Sequence, residues 1–218
     1  MRSFAELAED DDPRMDELAL AIAAEFRDVD TEAALTRLDE LGAELAATLG
    51  SSTTTPWIEV RALAALLGVT HGFTGDRQEY DRPENSMLDV VLQRRRGLPI
   101  LLSVVYTEVA RRAGVRVLGV GLPGHFVVGH FGTVPPLLLD PYASGAMIEA
   151  QGPAELLRPW PAKDVAMRML NNLVGSLERR GDLAGAMRAA AMRQALPADS
   201  DMRETLQHEL RALHARLN

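Results

Sequence analysis

The segment that begins at Pro99 and runs to about Arg112 constrains the fold most, because it predicts a helix that is apolar around most of its turn. Proline suits the first position of a helix, where an N–H group would have no partner in any case, and Gly114 provides a stop. A helix of this composition has to be buried on most sides, so other elements must enclose it. Its broad apolar side consists of Leu98, Leu101, Leu102, Val105 and Val109.

The other side of this predicted helix carries small and hydroxylated residues. With successive residues 100° apart, they fall within an arc of about 60° that contains no bulky aliphatic side chain. We expect another element, or a ligand, to approach the helix closely along this arc. Its members are Pro99, Ser103, Tyr106 and Ala110.

Three short segments after this helix predict strands, since they alternate or are rich in β-branched residues: 115–120, 125–131 and 137–140. Turn-forming residues at 132–136 favour an antiparallel hairpin between the last two. In such a hairpin, His125 and Asp140 come close together across the ladder.

Helical periodicity dominates both flanks of this central region. Upstream, three helices are predicted to begin near Met15, Thr31 and Pro56. Downstream, leucines and methionines at helical spacing predict a helical unit over residues 164–218, after a proline-rich linker at residues 151–163. We therefore expect two units, residues 1–150 and 164–218.

The downstream unit resembles a single tetratricopeptide repeat. Two predicted antiparallel helices are joined by Gly181-Asp182, and a proline follows about 11 residues after Ala186. One repeat is too short to form a peptide-binding solenoid. We expect this unit to pack on the core instead.

The short helix before the central one is predicted to begin at a capping box formed by Ser86 and Asp89. It ends in three arginines, 94–96, followed by Gly97. Two interpretations of these arginines stay open. They form a solvated helix end whose charges complement the helix dipole, or they hold a carboxylate or phosphate beside the central helix.

Composition narrows the possible functions. Lys and Arg number 23 against 31 Asp and Glu, which gives a net charge of −8. An acidic surface disfavours binding to nucleic acid and to anionic lipid. The absence of cysteine excludes disulfides, thiolate metal sites and a thiol nucleophile. The N-terminal residues do not form a signal peptide, and no apolar run reaches the roughly 20 residues of a membrane span, so we expect a soluble, cytoplasmic protein.

The central region resembles the SirB-family transglutaminase-like proteins of bacteria. The resemblance rests on the order and spacing of Asn85-Ser86, Arg95-Arg96-Gly97-Leu98-Pro99-Ile100, Ser103, Tyr106, Gly124-His125-Phe126 and Asp140-Pro141. It implies an α+β fold of the transglutaminase and papain-like kind, in which a central helix packs on a small antiparallel sheet. The N-terminal helices and the tetratricopeptide-like C-terminal module would flank this core.

The resemblance also implies a site. In active members of the superfamily, a cysteine at the start of the central helix is the nucleophile, a histidine on a neighbouring strand stabilises its thiolate, and an aspartate orients the histidine. The histidine maps to His125, the aspartate to Asp140, and the cysteine position falls closest to Pro99, which has no nucleophile. We expect further cleft residues at Asn85, Arg96 and Tyr106.

Three functions stay open. The first is a non-catalytic transglutaminase-like domain that keeps the His125–Asp140 cleft as a surface for a protein or peptide ligand. The second is a hydrolase or acyltransferase in which Ser103, one turn into the helix, completes a Ser103–His125–Asp140 triad. The third is a scaffold that recruits partner proteins through its helical ends. No cofactor is implied, and a zinc site is disfavoured because His125 and His130 lie on opposite faces of a strand.

Overall fold

The structure, a computed structural model, describes residues 2–51, 53–150 and 153–217. Its helices are α1 (Phe4–Glu9), α2 (Met15–Ala24), α3 (Thr31–Leu49), α4 (Pro56–Ala64), α5 (Leu88–Arg94), α6 (Pro99–Arg112), α7 (Ala162–Arg179), α8 (Leu183–Met192) and α9 (Ser200–Leu217). Its strands are β1 (Thr74–Gly75), β2 (Arg96–Gly97), β3 (Val117–Leu122), β4 (His125–His130), β5 (Leu137–Asp140) and β6 (Ala146–Ile148). No helix in this described part of the chain is long and apolar enough to cross a lipid bilayer.

Helix α6 is the centre of the structure, with the bounds that the sequence predicts. Apart from Thr107 and the two arginines at its end, all of its residues are buried. One side packs on the sheet, where Val117, Phe126 and Val128 join the helix in one hydrophobic cluster. Helices α2, α3, α5 and α7 contact its other sides. The predicted α+β arrangement, a central helix on a small antiparallel sheet, is confirmed.

The sheet has the antiparallel order β3-β4-β5-β6. Its first hairpin turns through Pro123-Gly124, so that Leu122 lies opposite His125. Gly124 has a φ of 71°, the left-handed value that a type II turn needs after proline. The first strand was predicted at 115–120 but occupies 117–122. Val115 is not free to join it, because its N–H group donates to the Ala110 carbonyl at 2.8 Å and closes the end of α6.

Helix α5 does not begin at the predicted capping box. It starts at Leu88, and its N-cap residue makes no side-chain hydrogen bond. The Asp89 carboxylate pairs instead with Arg27, which follows α2. The Ser86 hydroxyl is buried and has no hydrogen-bond partner among the described residues. The Asp89 carboxylate, which the sequence pattern assigns to a capping box, thus forms an ion pair with a distant residue instead.

The segment that was predicted to be a linker packs on the sheet. Its first two residues, Gln151 and Gly152, lie outside the described residues. Farther along, Leu157 is buried in a second hydrophobic cluster on the sheet. The backbone N–H group of Trp160 donates to the Gly119 carbonyl at 2.9 Å. The Trp160 indole lies against Gly121, where a Cβ atom would come within 2.2 Å of the ring. Only glycine leaves room for that side chain.

The C-terminal helices extend the same hydrophobic core. The larger cluster contains Leu18 and Ile22 from α2 together with Met169 and Leu173 from α7. The division into units 1–150 and 164–218, and the tetratricopeptide resemblance, stay predictions.

A buried ion network ties the C-terminal end of α6 to α2 and α3. The Arg112 side chain is 8% exposed and contacts Asp16 at 2.6 Å, Asp39 at 2.6 Å and Glu108 at 2.7 Å. Burial alone would raise the pKa of Asp16, but the hydrogen bonds from Arg14 and Arg112 hold it below its usual range. Burial raises the pKa of Glu108, and the Asp16 carboxylate beside it adds to the effect. Arg112 therefore compensates two buried carboxylates.

We predict that Arg112→Met lowers the free energy of unfolding by about 3–5 kcal/mol, because it leaves buried carboxylates without their main counter-charge. Arg111→Met is the matched control. Arg111 contacts Glu108 at 2.8 Å and Asp16 at 3.7 Å, but its side chain is 49% exposed, so we expect a loss of under about 1 kcal/mol. Urea denaturation of both variants measures the difference; equal losses would contradict the role assigned to burial.

Candidate functional site

Two short paired strands, β1 and β2, hold the turn that leads into α6. Strand β2 pairs in parallel with β1, so that Gly75 lies opposite Gly97. The Leu98 N–H group donates to the Asn85 carbonyl at 3.2 Å, and Pro99 is buried at the first helical position. The turn that leads into α6 is therefore held by backbone pairing on one side and by Asn85 on the other.

Asn85 and Arg94 hold together the loop under this turn. Asn85 is fully buried; its amide donates to the Glu79 carbonyl at 2.7 Å and its oxygen accepts from Arg94 at 3.1 Å. Arg94 also contacts Asp76 at 3.1 Å. Burial would raise the pKa of Asp76, but bonds from the Glu79 N–H group and from Arg94 lower it overall. The predicted cleft residue Asn85 is thus a structural support beneath the start of α6.

The predicted basic run divides between two environments. Arg94 points into the network just described, whereas Arg95 and Arg96 are exposed. Arg95 has a φ of 57°, the left-handed conformation that ends α5. The Arg96 guanidinium donates to the Gly72 carbonyl at 2.9 Å. Arg96 therefore lies on the outer surface of the β1–β2 pair.

His125 and Asp140 form a pair at one end of the sheet. His125 is the first residue of β4 and Asp140 the last of β5. His125 Nε2 lies 3.0 Å from Asp140 Oδ2. The other oxygen, Oδ1, accepts from the N–H groups of Tyr142 at 2.9 Å and Ala143 at 3.3 Å. These bonds fix the carboxylate in its place beside the imidazole. Nδ1 of His125 has no hydrogen-bond partner among the described residues and is available to another group.

Aromatic side chains surround this pair. The Tyr142 ring meets the His125 ring edge to face, with centroids 6.5 Å apart, and Tyr80 meets Tyr142 in the same manner at 6.3 Å. The Arg77 guanidinium lies 6.0 Å from the Tyr142 centroid. Tyr142 is seated by Gly75, where a Cβ atom would come within 2.3 Å of the ring. The His125 side chain is 32% exposed, so solvent reaches it.

The Tyr106 side chain packs against the turn that follows Asp140. It is fully buried, and its hydroxyl has no hydrogen-bond partner among the described residues. A Cβ atom on Gly145 would lie 2.9 Å from that hydroxyl. Burial raises the pKa of Tyr106, and the nearby Asp140 carboxylate raises it further. Tyr106, one member of the predicted arc on α6, therefore lies against this turn.

Ser103 is not joined to the pair by a hydrogen bond. It is 1% exposed, and its hydroxyl has no partner within the described residues, neither His125 nor the carbonyl one turn back. The residue lines a separate cavity of about 610 Å³ between α6, β3 and Trp160. His125 and Asp140 do not line this cavity.

The second histidine of β4 has its own partners. His130 is buried; Nε2 lies 2.5 Å from Glu59, and Nδ1 accepts from the Gly132 N–H group at 3.0 Å. Among residues 2–51, 53–150 and 153–217, no group of three or more His, Asp and Glu side chains is placed to hold a metal ion.

Comparison with known proteins agrees with this geometry. The model of the transglutaminase-like superfamily matches residues 32–173, well over half of the chain. The chain belongs to the transglutaminase-like superfamily. The matched range contains α6, the sheet and both members of the His125–Asp140 pair. The narrower SirB name, and the mapping of the catalytic positions, stay predictions.

Several bacterial relatives carry the name UPF0162 protein. One from Xylella fastidiosa is 35% identical over 120 residues, which cover 47% of this chain and 43% of the relative. Another from Pseudomonas aeruginosa is 36% identical over 149 residues, 66% of this chain and 52% of the relative. This transglutaminase-like chain thus spans about half the length of these proteins.

A shorter match reaches into eukaryotes. F-box only protein 21 of Mus musculus is 41% identical over 56 residues, which cover 26% of this chain and 9% of that protein. No solved structure matches the chain.

Sequence reasoning missed part of the site's lining. Tyr142 follows the Asp140-Pro141 motif directly and could have been found as its neighbour. Tyr80 and Arg77 lie in a polar, turn-rich segment without any periodic signal. Their place beside His125 depends on how that loop folds back over the sheet.

We predict that a cysteine introduced at Pro99 has a pKa below the roughly 8.5 of a free thiol, because a helix N-terminus and His125 both favour the thiolate. Ala162→Cys is the matched control, since Ala162 opens the long helix α7, whose N-cap residue, like that of α6, makes no side-chain hydrogen bond. The pH dependence of alkylation by iodoacetamide gives both values. A Pro99→Cys pKa no lower than that of the control would show that His125 does not reach the start of α6.

Proposed function

We propose that this chain is a non-catalytic transglutaminase-like domain that binds a protein or peptide ligand at the His125–Asp140 pair. The observation that carries the proposal is an oriented imidazole without a thiol to activate. His125 and Asp140 are 3.0 Å apart, yet the chain has no cysteine, and Pro99 stands where the resemblance places one. The motifs around both residues further support assignment to the SirB family.

The surroundings of the pair suit binding. The free Nδ1 of His125 can donate to or accept from a ligand, and Tyr80 and Tyr142 offer ring faces and edges to an apolar group. Aromatic rings with a few fixed polar atoms are the usual lining of ligand sites. Tyr80 is 49% exposed although it is a large aromatic residue, which leaves its ring available for such contact.

A Ser103-dependent hydrolase or acyltransferase is the second candidate. One observation favours it: the Ser103 hydroxyl does not make the backbone bond that helical serines commonly make, so it is uncommitted. Its 1% exposure counts against it, because a nucleophile has to reach the carbonyl carbon that it attacks. The scaffold hypothesis stays a prediction.

Binding is tested by selecting peptides from a displayed random library on the wild-type protein. We expect His125→Ala to weaken the selected peptides by about tenfold or more, the loss of roughly 1.4 kcal/mol of contact. His71→Ala is the matched control, since His71 also pairs with a carboxylate, Glu44 at 2.7 Å, but lies against α3. Equal peptide affinity in the wild type, His125→Ala and His71→Ala would contradict binding at the His125–Asp140 pair.

Catalysis is tested with ester, amide and peptide substrates. We expect the wild type to show no turnover above His125→Ala and no labelling of Ser103 by a fluorophosphonate. Turnover that falls by several orders of magnitude in His125→Ala, together with a label that Ser103→Ala abolishes, would establish the second candidate in place of the first.

A further inference from the structure

Arg168 differs from the other arginines that are shielded from solvent. The described arginines that are buried or half-buried are Arg37, Arg82, Arg94, Arg112, Arg168 and Arg193. Every one of them except Arg168 forms an ion pair with a carboxylate. Arg168 has no carboxylate partner within the described residues. A shielded guanidinium without a counter-charge is costly, because desolvation is then not offset by an opposite charge.

The partners that Arg168 does have carry only partial negative charge. Its guanidinium donates to the His125 carbonyl at 3.0 Å and to the Leu122 carbonyl at 3.5 Å. It also lies 5.4 Å from the Phe126 ring centroid and 5.5 Å from that of Trp160. Burial lowers the pKa of Arg168, the direction expected when these partners do not balance desolvation. With five N–H donors, the fork retains donors for a further acceptor.

Arg168 borders the site of the proposed function. Its guanidinium donates to the backbone carbonyl of His125, the residue whose ring meets that of Tyr142. Tyr142 in turn meets Tyr80. The guanidinium thus lies next to the residue that bears the imidazole of the proposed site.

Three carboxylates in this region are engaged with other groups. Asp76 pairs with Arg94, and Asp140 pairs with His125. Arg179, on the same helix as Arg168, takes the carboxylate of Asp81 at 2.5 Å. Arg77, at the rim, forms no ion pair among the described residues and stacks on Tyr142. Two guanidiniums near His125, those of Arg77 and Arg168, therefore have no ion-pair partner among the described residues, in a chain whose net charge is −8.

We propose that Arg168 anchors an oxyanion, a carboxylate or a phosphate, of the ligand that occupies the His125 cleft. This inference rests on the proposed function and adds the chemistry of the ligand. A planar guanidinium suits the two oxygens of such a group. The Trp160 and Phe126 rings beside Arg168 hold the fork in place and limit the motion that binding would have to freeze.

The test uses Trp160 as the reporter, because its ring lies 5.5 Å from the guanidinium. The chain has two tryptophans, and the other, Trp57, is 50% exposed, so Trp57→Phe leaves a single reporter. This variant is titrated with malonate and with inorganic phosphate, each at constant ionic strength set with sodium chloride. We expect a saturable change in Trp160 fluorescence. Tighter binding of malonate identifies a carboxylate ligand, and tighter binding of phosphate identifies a phosphorylated one.

Arg168→Met should weaken this binding by at least about tenfold, through loss of a charge-assisted pair of bonds. Arg188→Met is the matched control. Arg188 also lies over a ring, 5.8 Å from Phe26, and donates to a carbonyl, Glu25 at 2.6 Å, but it is exposed and on α8. It should leave the anion affinity unchanged.

Three results would overturn the inference: a response that chloride reproduces, an unchanged affinity in Arg168→Met, or an equal loss in Arg188→Met. If Arg168→Met melts at the assay temperature, Arg168→Lys replaces it. Lysine keeps the positive charge but lacks the paired N–H groups of a guanidinium, so we expect anion binding several-fold weaker than in the wild type. Wild-type affinity in this variant would contradict binding of the anion by paired N–H groups. Anion binding that survives in His125→Ala supports the inference even where the peptide selection fails, because Arg168 uses only the carbonyl of His125.

Discussion

Helix α6 is buried along nearly its whole length, apart from Thr107 and the two arginines at its end. A helix without a solvent face needs apolar cover on every side. The sheet covers one side through Phe126 and Val128, and α2, α3, α5 and α7 contact the others. Elements from both ends of the chain therefore belong to one core, and their packing on α6 places His125 and Asp140 at the edge of that core.

A buried helix also has polar groups at its ends, which need partners that the helix cannot supply. At the C-terminal end, Arg112 brings together Asp16, 96 residues away in sequence, and Glu108 one turn back. At the N-terminal end, the Leu98 N–H group meets the carbonyl of Asn85. Each end is thus held by at least one residue that lies outside the helix itself.

On the proposed mapping, proline at the start of α6 stands in place of the nucleophile. It also removes one of the free N–H groups that a helix N-terminus offers to a developing oxyanion. What remains is an imidazole held by a carboxylate, two tyrosine rings and a guanidinium that lacks a counter-charge. Under the proposed function, these groups recognise a ligand through hydrogen bonds, ring contacts and charge, and such recognition needs no covalent step.

The features that follow from local rules could be predicted from the sequence. Periodicity and the proline–glycine boundaries gave the bounds of α6, and the hairpin pattern predicted that His125 and Asp140 would be close. Tertiary structure decided the features that depend on pairing between distant segments. Asp89 forms an ion pair with Arg27 instead of the predicted capping box. The Ser103 side chain is buried. Arg168, which is 43 residues from His125 in sequence, donates to the His125 carbonyl. No local pattern records such choices, because a side chain's partner is set by which elements pack together and not by its neighbours along the chain.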